Sequence, residues 1–392
     1  MRVLSIGQLP KEIGGNYTTG IAKVVFELSK QSFNDVKMYL YATNISDKLA
    51  NKHSSYPHQY MGYRTLIGRM LINILSNPIQ TIRQWRIYKT ENKVNPLRFE
   101  FYKANMQRAI SLVKPDIIHL HGNGLAPLYF ARTEKEVPIV LTCHGVFQRT
   151  PNPNSQQKRY TDYVTGLTNE TKDEIMKYFF VDEKKITLIP NGVDTKKFYY
   201  SPEERKNVRK VHHVADSTIV FITVASVQER KGQYAFCKIL ENLNIDWQYW
   251  IIGKGADEQR IIDFAKSRDL EDRIKVLGYR NSDDLYKYYS AADVYAHAST
   301  MEGQALCEIE AYTTGIRTVV NKVITGTVAN DVYADPMGYY VMDFSNPNLS
   351  QLKEWIAQGN QNRKTKPNFD WSIIAQKYEV LYHNILNKSN RK

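Results

Sequence analysis

Apolar residues arrive in two rhythms along this chain of 392 residues. One is the short unbroken run: residues 2 to 6, Val36 to Tyr41, Asp116 to His121, Val137 to Cys143, Tyr163 to Thr168, Ile219 to Ala225, Trp250 to Gly253, Ile274 to Leu277 and Thr318 to Asn321. Runs of this length suit strands buried on both faces of a parallel sheet. The other is helical spacing. Ile21, Val24, Val25 and Leu28 fall at i, i+3, i+4 and i+7, Leu285 to Ala292 reads as a further helix, and Leu306, Ile309 and Ala311 lie on one more. Strand, turn and helix alternate, which predicts an α/β chain.

Pro190 and Gly192, within Ile186-Thr-Leu-Ile-Pro-Asn-Gly-Val-Asp194, interrupt the rhythm. A domain boundary is expected at about 190. Two domains, 1 to 190 and 191 to 370, would each be large enough to bury a core. Residues 53 to 105 depart from the pattern. There Tyr56, Tyr60, Tyr63, Trp85, Tyr88, Phe99, Phe101 and Tyr102 are interleaved with Arg64, Arg69, Arg83, Arg86, Lys89 and Arg98, and Leu66, Met70, Leu71, Ile74 and Leu75 repeat helically.

Charge sharpens the picture of that segment. The net charge is +13, and residues 1 to 190 hold 26 Lys and Arg against 15 Asp and Glu. Residues 53 to 114 alone hold 10 basic side chains against 2 acidic ones. An acidic partner is implied: an anionic membrane surface, a phospholipid-linked acceptor or nucleic acid. No recognised nucleic-acid motif accompanies the charge, which disfavours the last. A helical insertion packed on its own domain is the alternative. The uncharged stretch Met70 to Ile82 is too short to span a bilayer. With Cys143, Cys237 and Cys307 widely spaced there is neither a disulfide framework nor a metal-ligand pattern, so a cytoplasmic setting and no metal are expected.

Candidate chemistry sits in strand-to-helix turns. Glu302-Gly-Gln-Ala-Leu-Cys-Glu-Ile-Glu310 follows an apolar strand and opens a helix. The backbone amides of Gly303, Gln304, Ala305 and Leu306 would be unpaired donors at that helix start, suited to a diphosphate. Glu302 and Glu310 would flank the anion and accept from hydroxyls at the two ends of a nucleotide-sugar. Glu308 reads as a solvated helix face. Arg230-Lys231-Gly232, also between strand and helix, could neutralise a leaving diphosphate. In the first half, His121 and His144 each close a strand, and a glycine-rich loop runs from Pro10 through Gly14-Gly15 to Gly20.

Glu302-Gly-Gln with Glu310-Ala, preceded by Ala291-Ala-Asp-Val294 and Ser299, resembles the signature of the retaining family-four glycosyltransferases. The resemblance implies the GT-B architecture: two Rossmann-like domains with parallel sheets facing across a cleft, and a closing helix, 371 to 392, that crosses back to the first domain. It implies that Glu302 contacts the donor sugar, that the amides at 303 to 306 hold the diphosphate, and that Glu310 binds the ribose. Arg230 and Lys231 inherit the family's Arg or Lys pair, and His121 its sugar-contacting histidine. His144 would face the acceptor. Gly20, or Gly15 in an extended loop, would face the donor phosphate, and the segment at Tyr279 and Arg280 would hold the base. Ser226 and Ala225 depart from the family, standing where many members have arginine and glycine.

The expected function is transfer of a sugar from a nucleotide-sugar, a UDP-sugar first, to a glycan or polyprenyl-linked acceptor in surface polysaccharide synthesis. It would need neither cofactor nor metal and would work in the cytoplasm, at the inner face of the membrane. Two alternatives are a catalytically silent nucleotide-sugar binder and a membrane- or nucleic-acid-binding scaffold using the basic insertion.

Overall fold

The computed structural model describes residues 1–10, 20–50, 59–92, 95–122, 125–132, 137–145, 150–324, 338–359 and 363–389. The chain divides into two compact units, residues 1–189 with 371–392, and residues 190–370.

The first unit holds a seven-stranded sheet: β1 (Arg2–Gly7), β2 (Lys37–Ser46), β3 (Gln59–Tyr63), β4 (Ile117–His121), β5 (Ile139–Cys143), β6 (Tyr163–Gly166) and β7 (Ile186–Leu188). Its order is β3-β2-β1-β4-β5-β6-β7, and every neighbouring pair is parallel. The second unit has six parallel strands: β8 (Ile219–Val224), β9 (Trp247–Ile252), β10 (Ile274–Gly278), β11 (Val294–His297), β12 (Arg317–Asn321) and β13 (Tyr339–Met342). Their order is β10-β9-β8-β11-β12-β13. In both sheets the strand order reverses beside the first strand, which is the doubly wound pattern with a switch point where ligands gather.

Consecutive residues of the central strands feed opposite faces, which explains the unbroken apolar runs. Phe221, Tyr249 and Ile251 join one core with Phe236 and Trp355, whereas Ile222, Trp250 and Ile252 join a second with Tyr289 and Ile309. Strands β4, β5, β11 and β12 are buried throughout. Both faces are covered, as a parallel sheet requires.

The last helix, Trp371–Ser389, completes the first unit. The Glu379 carboxylate accepts the Asp35 amide at 2.8 Å. The hydroxyl of Tyr382 lies 2.7 Å from His119 Nδ1, and that of Tyr378 lies 3.2 Å from Thr142 Oγ1.

The departure at 53 to 105 resolves into edge strand β3 and three helices, Ile67–Ser76, Pro78–Asn92 and Pro96–Val113. Several of the segment's aromatic side chains turn inward. Tyr60 and Phe99 are buried, Trp85 packs against the core, and Tyr63, Phe101 and Tyr102 stack edge to edge. Tyr63 stays 37% exposed at the end of β3, and the other rings come inward from β3 and from the second and third helices. Arg64, though its side chain is 58% exposed, gives Nε to Asp47 at 2.7 Å, a carboxylate that also takes Arg108 at 3.0 Å. Tyr56 lies outside the described residues.

Candidate active site

At the switch point of the second sheet, the turns after β8 and β11 meet. Residues Glu229–Lys231 form one turn of 3-10 helix after β8, and Arg230 Nη1 donates to the Met301 carbonyl at 2.6 Å. The Thr300 amide returns a bond to the Arg230 carbonyl at 2.9 Å. Arg230 Nη1 also lies 3.3 Å from Glu302 Oε1, the same oxygen that Lys231 Nζ contacts. Gly232 makes this approach possible. Its φ is +71°, and a Cβ there would stand 2.1 Å from the Ala298 carbonyl oxygen. Burial pushes the Glu302 carboxyl up, but the Lys231 charge and hydrogen bonds from Lys231 and Ser299 outweigh it, and the net shift is down. Glu302 is thus held as a carboxylate beside two cations. Ser226, one of the two departures, keeps an exposed side chain, with Gln228 on its hydroxyl and Gln233 on its carbonyl.

The helix after this turn is Leu306–Thr313, with Ala305 as its N-cap and no side chain capping it. The first half of the Glu302–Glu310 stretch is therefore turn, not helix. Gln304 fixes the turn: its Oε1 accepts the Asn191 amide at 2.6 Å, and its carbonyl accepts Asn191 Nδ2 at 3.2 Å. Gly303, Gln304 and Ala305 are buried. Glu310 is buried too, with the Tyr289 hydroxyl 3.3 Å from its Oε2.

The expectation for Glu308 is overturned. It is 0% exposed and its Oε2 lies 3.9 Å from Nε2 of buried His297, at the end of β11. Burial holds the His297 imidazole down to about 4, so it is neutral at pH 7. The signal was present in the sequence: Leu306, Cys307, Ile309, Ala311 and Tyr312 surround position 308 with apolar neighbours, leaving no wet face for it. His297 was missed although it closes a strand as His121 does. At the end of β10, Tyr279 is 66% exposed, and Arg280 donates Nε to the Tyr288 hydroxyl at 2.9 Å.

In the first unit, His121 closes β4 beside that sheet's own switch point. Its ring stacks on His119 with centroids 4.1 Å apart, and its Nδ1 lies 3.3 Å from His144 Nε2. His119 is satisfied on both sides, by Tyr382 and by Thr142 Oγ1 at 2.6 Å. His121 Nε2 is buried with no hydrogen-bond partner among the described residues. Gly20 opens the helix Gly20–Ser29, whose Val24, Val25 and Leu28 are buried. Gly14 and Gly15 lie outside the described residues.

Two family models match successive parts of the chain. Residues 19–197 match Glycosyltransferase Family 4, and residues 204–334 match Glycosyl transferases group 1. The chain belongs to the family-four glycosyltransferases. Among curated relatives of this family-four protein, an Escherichia coli UDP-Gal:alpha-D-GlcNAc-diphosphoundecaprenol alpha-1,3-galactosyltransferase is 27% identical over 56% of the chain and 61% of the enzyme. An Acholeplasma laidlawii alpha-monoglucosyldiacylglycerol synthase is 25% identical over 75% of the chain and 82% of the enzyme. The chain thus spans less than two thirds of the first relative's length. A Rickettsia africae glycosyltransferase superposes with a TM-score of 0.71 at 16% identity, covering 98% of both chains. At that identity the likeness is one of fold, and the fold is GT-B.

For this family-four protein, the structure brings Glu302, Arg230, Lys231 and the start of the helix Leu306–Thr313 together within one unit. Glu310 lies on that same helix, and Tyr279 follows the end of β10 at the sheet edge. His121 and His144 form a separate pair in the first unit.

Proposed function

We propose that the chain transfers a sugar from a nucleoside diphosphate sugar, a UDP-sugar first, to a glycan or lipid-linked acceptor, with retention at the anomeric carbon. The observation that carries this is the convergence of Arg230 and Lys231 on Glu302, next to the uncapped helix start at Leu306. A diphosphate presents these two cations with a second anion, and the helix start with a negative charge of the sign it favours. Glu302 would then be released to accept from a sugar hydroxyl.

In the reaction the acceptor oxygen bonds to the anomeric carbon as the bond from that carbon to the phosphate oxygen breaks. The electron pair leaves with the diphosphate, and the acceptor's proton passes to the departing phosphate oxygen on the same face. Arg230, Lys231 and the helix amides would stabilise charge that develops as the bond breaks, so they act more strongly on the transition state than on the bound donor. Because these cations meet the leaving group, the reaction is expected to need no divalent metal. His121 Nε2 is the candidate for a further hydrogen bond to the sugar.

One curated relative is named for a diphosphoundecaprenol-linked acceptor and the other for a diacylglycerol product, which supports a lipid-linked acceptor here. The test is a thermal-shift screen of UDP-, GDP- and ADP-sugars, followed by product analysis with the stabilising donor in excess EDTA. A donor raises the melting point because it binds only the folded state. No shift with any nucleotide-sugar would overturn the reading. A shift without transfer or donor hydrolysis would leave a silent binder.

A further inference from the structure

The helices Ile67–Ser76 and Pro78–Asn92 form a hairpin that keeps Trp85 and Ile87 against the core but turns most of its aliphatic side chains outward. Polar side chains face the protein: Asn73 Nδ2 donates to Gln107 Oε1 at 3.1 Å, Gln84 Oε1 accepts Lys103 Nζ at 2.9 Å, and Trp85 Nε1 donates to Glu100 Oε1 at 3.1 Å. Thr81 and Gln84 are buried. The first helix has no buried residue at all. Aliphatic side chains point outward instead: Ile67, Leu71, Ile72, Leu75, Ile79 and Ile82 are all exposed, Leu75 at 75% and Ile79 at 82%. Single exposed leucines are ordinary, but six on one short hairpin make a patch that water alone does not explain.

Charge decides what covers it. No acidic residue occurs between Asp47 and Glu91, while Arg69, Arg83, Arg86 and Lys89 are exposed on the same two helices. Aliphatic side chains ringed by cations, on helices too short to span, match the boundary between headgroups and acyl chains of an anionic bilayer. A second copy of the chain would bring the same cations against themselves, which makes it the poorer occupant.

We propose that this hairpin docks the protein on an anionic lipid surface, with Leu75 and Ile79 entering the acyl boundary and Arg69, Arg83, Arg86 and Lys89 meeting phosphates. The inference is independent of the transfer reaction, and its readout needs no donor.

The experiment is flotation of the full chain with vesicles of phosphatidylcholine alone and of equal parts phosphatidylcholine and phosphatidylglycerol. It is run beside the double variants Leu75→Ser with Ile79→Ser and Arg83→Glu with Arg86→Glu, each checked for an unchanged melting point. The native chain should partition at least about tenfold better onto the anionic vesicles, and each double variant should lose at least about tenfold of that. Equal binding to both vesicles, or binding indifferent to both variants, would overturn the proposal. So would loss with the arginine variant only, since that is unspecific attraction to polyanions. A concentration-dependent dimer abolished by Leu75→Ser with Ile79→Ser, without lipid binding, would assign the face to a second copy instead.

Discussion

Lys231 and Glu302 form an ion pair that is almost wholly enclosed, their side chains 13% and 10% exposed. The pair ties the turn after β8 to the turn after β11, and a diphosphate arriving there must share the lysine. Lys231→Ala should therefore lower turnover by about 100-fold or more, the scale seen when one donor to a developing oxyanion is removed. Binding of the free nucleoside uridine should change little. Parallel loss of both would mean that Lys231 only shapes the site.

Glu310 shares its hydrogen bond with Tyr289 in a buried setting. Removing the carboxylate by Glu310→Ala should weaken UDP binding about tenfold or more, the scale of a hydrogen bond to a charged group. Tyr289→Phe, which leaves the carboxylate in place, should weaken it less. Calorimetry on the two variants checks this, and an unchanged dissociation constant for Glu310→Ala would remove the ribose assignment.

Gly232 adopts φ +71° against the Ala298 carbonyl, with no room for a side chain. Gly232→Ala should cost about 1 kcal/mol or more, from left-handed backbone and the close approach together. It should also impair transfer, because the two cations just before it are displaced. A variant with native melting point and native activity would contradict the geometry.

Three imidazoles of the first unit are held neutral. Burial and the neighbouring His144 bring His119 down to about 3, burial brings His144 to about 4, and His121 falls well below its usual value by burial and both neighbours. These are bases whose folded values lie below the unfolded value of about 6.5, so between about 4 and 6.5 the unfolded chain takes up more protons. Their contribution to stability is present above that window and is lost as the pH falls through it. Imidazole nitrogen resonances should show all three neutral at about pH 5.5, a pH where an exposed histidine is mostly charged. Imidazolium signals from any of them at that pH would refute the burial argument.

The apolar runs made the doubly wound architecture readable because central strands such as β4 and β11 are buried on both faces, so their sequence has no alternation. Edge strand β3 was not readable: it lies inside the basic, aromatic segment, and Asp47 and Arg108 hold its backbone at Gly62 from elsewhere in the chain. The approach of Arg230 and Lys231 to Glu302 was implied by a shared motif and could not be read from spacing, since 71 and more positions separate them in the chain. Glu308 was misread because a glutamate was weighed alone and not against its apolar neighbours. In the hairpin, the helical period of Leu71 and Leu75 was legible, but which way it faced was not. An outward apolar face and an inward one have the same sequence signature.

The hydroxyls of Tyr378 and Tyr382 answer Thr142 and His119 at the heart of the first sheet. During synthesis the ribosome delivers all seven strands of that sheet long before it delivers those two tyrosines. The first unit must therefore wait, with a buried imidazole short of its partner, until residue 382 has been made. The interior of the first unit is thus completed by a helix that the chain supplies only after the whole of the second unit, and a chain cut between the two lacks both hydroxyls.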